Sequence, residues 1–122
     1  MKINSQIVVF DAADLESESA FWAGVWGGRV AAEEDWHDVI DAAGERRMGI
    51  QLAPNHVPPD WPDGSPEQQL HLDLHIEDFG EAHEQVIALG AIVLQPAPDP
   101  DADEGFQVYA DPAGHPFCLC WG

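Results

Sequence analysis

The chain states one pattern twice, and that repetition restricts what it can fold into more than any other feature. Ile7-Val8-Val9-Phe10 leads to Asp14-Leu15, a helix-like stretch, then Trp26-Gly27-Gly28-Arg29-Val30. Leu70-His71-Leu72-Asp73-Leu74 leads to Asp78-Phe79, another helix-like stretch, then Leu89-Gly90-Ala91-Ile92-Val93. Asp14 and Asp78 lie 64 residues apart and Gly27 and Gly90 lie 63 apart, so the helices differ in length by one residue. Two copies are too few for a solenoid. They suit a fold of two paired modules with a cleft between them, where function is expected.

Each copy predicts the order β-α-β-β-β. Residues 5–10 are dense in Ile, Val and Phe and read as a strand. Asp14 is placed to cap a helix over 14–26, with Glu16 and Glu18 in the first turn, where the helix dipole favours acids. Leu15, Phe21, Trp22, Val25 and Trp26 form its apolar stripe, and Gly27-Gly28 ends it. Residues 29–32, 36–41 and 46–53 follow as short strands. In the second copy, Leu70, Leu72, Leu74 and Ile76 alternate with His71, Asp73, His75 and Glu77, a strand with one apolar and one polar face. Asp78 and Glu81 resemble a capping box before a helix over 78–89. Strands over 91–95, 107–110 and 117–121 complete the order, with Asp99 to Gly105 as an acidic hairpin tip. The expectation is one α+β domain over 1–122: module one at 1–53, a proline-rich linker at 54–69, and module two at 70–122. Trp61 in the linker is either a lid residue or an anchor that packs the linker down.

Composition excludes several function classes. The net charge is −19, from 23 acids against Lys2, Arg29, Arg46 and Arg47, so the basic footprint of a nucleic-acid binder is missing. A diffuse negative field favours a cationic ligand without specifying where it binds. No apolar run approaches the roughly 18 residues that span a bilayer, and Met1 to Gln6 lacks the order of a secretory signal, so a cytoplasmic protein is expected. Cys118 and Cys120 lie two apart in one strand, roughly 7 Å along it, too far for an easy disulfide.

The polar face of the Leu70–Ile76 strand carries the strongest chemical signal. His71, Asp73 and His75 point together, offering imidazole, carboxylate and imidazole, a set suited to acid–base work. Alternation in the last strand sends Phe117, Leu119 and Trp121 to one side and Cys118 to the other, toward the same space as His71. Asp111-Pro112-Ala113-Gly114-His115-Pro116 reads as the turn before that strand.

His71-Leu72-Asp73-Leu74 ahead of Asp78, then Leu89-Gly90-Ala91, then Asp111 to Cys118, closely resembles the vicinal oxygen chelate superfamily, and more narrowly its glyoxalase-like, bleomycin-resistance-related branch. Asp11-Ala12-Ala13-Asp14, Ala20-Phe21-Trp22 and Gly27-Gly28 resemble that branch's opening strand and helix. The resemblance implies βαβββ modules whose eight strands curve into a cup-like mixed sheet, commonly within or across a homodimer. Its metal-dependent members place ligands on the first and last strand of each module. His71 matches one such position, and Cys118 stands where Glu is usual. The repeat offset puts Ile7, or Gln6 after a slip, at the first-strand position of module one, with Ile50 or Gln51 on its last strand.

The reading that follows is a metal-independent binder of a small organic ligand, of the sequestering or resistance type. His71, Asp73 and Cys118 line its site, with Gln51 and Trp36 contributed by module one; Trp36 or Trp61 is placed to stack on a flat or cationic group. No cofactor is expected, a divalent metal stays open, and His71 is the only well-matched ligand position. The alternative is a lyase, isomerase or dioxygenase with His71, alone or with Asp73, as catalytic residue. Five tryptophans and five phenylalanines exceed what two short helices over a sheet consume, so a homodimer is expected.

Overall fold

The computed structural model describes residues 1–122 and contains ten elements in the expected order. They are β1 (Val8–Ala12), α1 (Leu15–Val25), β2 (Arg29–Ala32), β3 (Trp36–Ile40), β4 (Arg46–Leu52), β5 (Leu72–His75), α2 (Phe79–Leu89), β6 (Ile92–Gln95), β7 (Gly105–Ala110) and β8 (Pro116–Trp121). The fold is α+β and consists of two βαβββ modules. Its strands form two four-stranded mixed sheets, in the orders β1-β4-β3-β2 and β5-β8-β7-β6. In each sheet the first strand pairs in parallel with the last and the other pairs are antiparallel. The chain divides into two compact units, Met1–His56 and Val57–Gly122, and the break falls inside the proline-rich stretch. No helix is long and apolar enough to cross a membrane.

Local chemistry sets the helix limits. The Asp14 carboxylate accepts from Ser17 N at 3.1 Å and that of Asp78 from Glu81 N at 2.9 Å, so each pairs a backbone N–H that the helix leaves free. α2 stops at Gly90, whose φ of 110° lies in the left-handed region that favours glycine. The turns before β4 and β8 are also copies of one another. Asp41 Oδ1 accepts from Ala43 N and Glu45 N, while Asp111 Oδ1 accepts from Ala113 N and His115 N. Gly44 and Gly114 both sit at φ 87°. A short carboxylate folding back on its own turn is what this Asp-x-Ala-Gly spacing provides.

In the first unit, Phe10, Ala12, Leu15, Phe21, Trp22, Val39, Met48 and Ile50 are buried. Two differences from the sequence reading stand out on α1. Glu18 lies in the first turn as expected, but it is fully buried and accepts from Trp22 Nε1 at 2.9 Å, so it is also a core residue. Ser19 is also buried, 2.7 Å from Nδ1 of His37 on β3. The buried stripe therefore runs through positions 15, 18, 19 and 22, and hydrogen bonds compensate its polar members. The first strand covers 8–12 and not 5–10, because its parallel ladder with β4 runs from Val8–Met48 to Ala12–Leu52.

In the second unit, Val86, Val108, Tyr109, Phe117 and Leu119 are buried. α2 lies against β8 through Phe79, whose ring stacks on Trp121 with centroids 4.2 Å apart. Behind it, His83 Nδ1 lies 2.7 Å from the Tyr109 hydroxyl, which also accepts from Gln107 Nε2 at 2.9 Å. β5 is shorter than the alternation suggested, and Leu70, outside it, is exposed and not packed beneath the helix.

Candidate functional site

The second sheet owes its site to the period of two along its strands. On β5, Leu72 and Leu74 are half-buried while Asp73 and His75 are exposed, and exposed His71 immediately precedes the strand. On β8, Phe117 and Leu119 enter the core and Trp121 meets α2, which leaves Cys118 and Cys120 on the opposite face. The parallel ladder sets Asp73 opposite Cys118, and the antiparallel β7–β8 ladder sets Val108 on the other side of Cys118. Donor atoms of His71, Asp73 and Cys118 consequently lie within 4.8 Å of one another. His71 Nε2 is 3.4 Å from Asp73 Oδ1. His75 lies opposite Cys120, outside this cluster.

A pocket of about 210 Å³ opens beside these residues. Trp61, Phe106, Val108 and Pro116 form its apolar wall, and Gln68, His71 and Cys118 supply its polar atoms. Trp61 thus lines the cavity from the linker. Gln68 Oε1 is buried in the wall without a hydrogen-bond partner. Burial pushes the Cys118 thiol up to about 12, helped by the charge of Asp73, by the hydrogen bond to that carboxylate, and by Cys120. Burial, then Asp73, pushes the Cys120 thiol up as well. Cys118 is therefore a protonated thiol donating to Asp73 and a poor nucleophile near neutral pH. Asp73 is a carboxylate with a thiol on one side and an imidazole on the other, and both His71 and Asp73 keep about half of their side-chain surface exposed.

Trp36 and Gln51, the residues expected from module one, face each other across the β3–β4 ladder. Gln51 is exposed. Trp36 donates from Nε1 to Asp38 Oδ1 at 2.9 Å, and its ring lies so close over Gly49 that a Cβ there would come within 2.4 Å of Cζ2. The ladders also correct the repeat alignment. Val9, which precedes Asp73 by 64 residues, pairs with Gly49, so Gly49 and not Ile50 or Gln51 occupies the place of Cys118. Ile50 is fully buried in the core. The offset grows to 69 at the last strand because the loop between β6 and β7 is longer than the one between β2 and β3. Gln68, Phe106, Val108 and Pro116 were missed. Pro116 follows from Cys118 by the period of two, whereas Val108 required the hairpin register.

The model of the glyoxalase-like domain family matches residues 7–120. The chain belongs to the glyoxalase-like domain family. Solved structures place this glyoxalase-like chain in the vicinal oxygen chelate fold. The fosfomycin resistance protein FosX from Mesorhizobium loti has a TM-score of 0.71 at 19% identity, covering 100% of this chain and 94% of that one. FosX from Listeria monocytogenes, complexed with Mn(II) and sulfate, has a TM-score of 0.69 at 20% identity, covering 100% and 92%. A glyoxalase-related enzyme from Fulvimarina pelagi has a TM-score of 0.67 at 18% identity, covering 98% and 89%. Identities this low establish likeness of fold alone. No curated protein sequence matches the chain.

Proposed function

We propose that this glyoxalase-like protein binds a small organic molecule in the pocket of its second unit, without a metal, as a sequestering or resistance protein of the cytoplasm. The observation that carries this is the pocket's own make-up: an apolar wall with two aromatic rings, and His71, Gln68 and Cys118 converging on it. Such cavities hold ligands by apolar contact and orient them with a few polar atoms. Cys118 acts as a hydrogen-bond donor and Asp73 as an acceptor steadied by His71. The resistance role is supported by the FosX neighbours, which are fosfomycin resistance proteins.

The metal of one such neighbour does not fit these residues. Listeria FosX is complexed with Mn(II), an ion that suits carboxylate, carbonyl and water oxygens. Here one of three clustered donors is a thiol, a soft ligand ill suited to such an ion, and the module-one counterparts of His71, Asp73 and Cys118 are Ile7, Val9 and Gly49. None of those three side chains can ligate. One observation favours a second reading, a metal-dependent enzyme: three donors within 4.8 Å, a softer set that suits zinc. Metal analysis of protein purified without chelator decides between them. Clearly substoichiometric metal is expected; one zinc per chain, lost in His71→Ala, would reverse the order.

Tryptophan fluorescence titrated with a panel of small aromatic and cationic compounds tests binding itself. Saturable quenching, or an accompanying thermal shift, is expected with at least one compound, and silence across the panel would contradict the proposal. The protein is also proposed to be a homodimer, supported by exposed Val9, Ile87 and Ile92. The charge of −19 opposes association, so the dimer should tighten as salt screens it. Light scattering that gives 13.3 kDa at both low and high salt would exclude it.

A further inference from the structure

We infer that the pocket of the second unit selects a small organic cation; this rests on the ligand-binding role proposed above and assigns its ligand class. Charge placement is the first reason. Lys2, Arg29, Arg46 and Arg47 all belong to residues 1–56, whereas residues 57–122 carry thirteen of the 23 acids and no Lys or Arg. The unit that builds the pocket therefore offers no Lys or Arg to an anion, and the histidine in the pocket wall, His71, already faces the Asp73 carboxylate. Its helix offers none of the usual substitute either. The N-terminus of α2, where backbone N–H groups would otherwise attract an anion, is capped by the Asp78 carboxylate with Glu81 in the first turn.

The groups at the pocket point the same way. Asp73 is half-exposed, touches both His71 and Cys118, and is the one carboxylate of the cluster. Trp61 and Phe106 present ring surface to the cavity, and aromatic faces attract ammonium and guanidinium groups. A cation entering beside these rings gains from them and from Asp73, which stands next to the lining residues His71 and Cys118, while a carboxylate or phosphonate is repelled by Asp73 and finds no Lys or Arg in this unit. At about 210 Å³, the pocket is small, and a single ring or a short chain suits it.

Isothermal titration of the full chain with benzylamine, benzyl alcohol and benzoate, in chelator and at low salt, tests the assignment with three ligands of similar size and different charge. Benzylamine should bind about tenfold more tightly than benzyl alcohol, and benzoate should give no measurable heat. Asp73→Asn, an isosteric change at an exposed position, should weaken benzylamine about fivefold and benzyl alcohol by clearly less. If benzyl alcohol or benzoate equals or exceeds benzylamine, the cation assignment falls while the pocket remains a binding site. If benzylamine binds Asp73→Asn as well as the unaltered protein, the cation is held elsewhere on the acidic surface and the assignment also falls. If none of the three binds, the pocket reading fails and takes this inference with it.

Discussion

The Trp36 indole covers Gly49, so that a Cβ on the glycine would come within 2.4 Å of Cζ2. Gly49 holds the place that Cys118 holds in the second module, because Val9–Gly49 and Asp73–Cys118 are corresponding rungs of the two parallel ladders. One module thus fills the position with a ring from the neighbouring strand, and the other with a thiol beside a carboxylate. This asymmetry divides the two copies of one motif into a packed face and a polar site.

Gly49→Ala should be destabilising by about 1–3 kcal/mol, the usual cost of overpacking. The ring is held by its hydrogen bond to Asp38 and cannot swing clear without losing it. Urea unfolding measures this; a midpoint equal to that of the unaltered protein would mean that the ring shifts freely.

Cys118 should resist alkylation near neutral pH, because its thiol is pushed up to about 12 from an ordinary 9.0. The same shift makes folding pH-dependent at the alkaline end. Tyr109 is likewise pushed up to about 12 by burial, partly offset by Gln107. Above about pH 9 the unfolded chain releases protons that the folded chain retains, so stability is full below that pH and is lost as pH rises toward 12. Thermal unfolding at about pH 8 and about pH 10.5 should show the decline, and a flat profile would contradict the burial of these groups.

The two Asp turns should differ in their cost of removal. Asp111 is 2% exposed and accepts from two backbone N–H groups, so Asp111→Ala should cost about 1–3 kcal/mol by leaving them unpaired. Asp41→Ala should cost less, because its turn is open to water. Asp41 is held below the usual carboxylate range by the backbone N–H of Glu45 and then by Arg47. What it contributes is present above pH 3.8 and lost as pH falls through its folded value. Denaturant curves of the two variants compare them directly.

Gln68→Leu should leave stability unchanged or raise it. Gln68 Oε1 is buried without a partner, and an unsatisfied buried acceptor costs about 1–3 kcal/mol. A lower unfolding midpoint in the variant would show that this oxygen is paired in solution.

Much of this was legible in the sequence because both modules announce their helix ends with Asp caps and glycines, and because His71, Asp73 and Cys118 follow from period-two alternation on neighbouring strands. What was not legible depended on register and on tertiary pairing. Ile50 and Gln51 were aligned with Cys118 because the repeat offset drifts from 64 to 69 through unequal loops. The burial of Glu18 was not foreseen because nothing local reveals that Trp22 Nε1 will pair with it in the core. Phe106 and Val108 enter the site only through the β7–β8 register, and Gln68 comes from a linker without periodicity.

The most direct test of the central claim, that a small organic ligand binds the second unit without a metal, is a backbone amide NMR titration with benzylamine in the presence of chelator. Saturable shifts should concentrate on His71, Asp73, Phe106 and Cys118 and leave the α1 amides in place. Shifts spread evenly over the acidic surface, or shifts at these residues only after Mn(II) or zinc replaces the chelator, would contradict it.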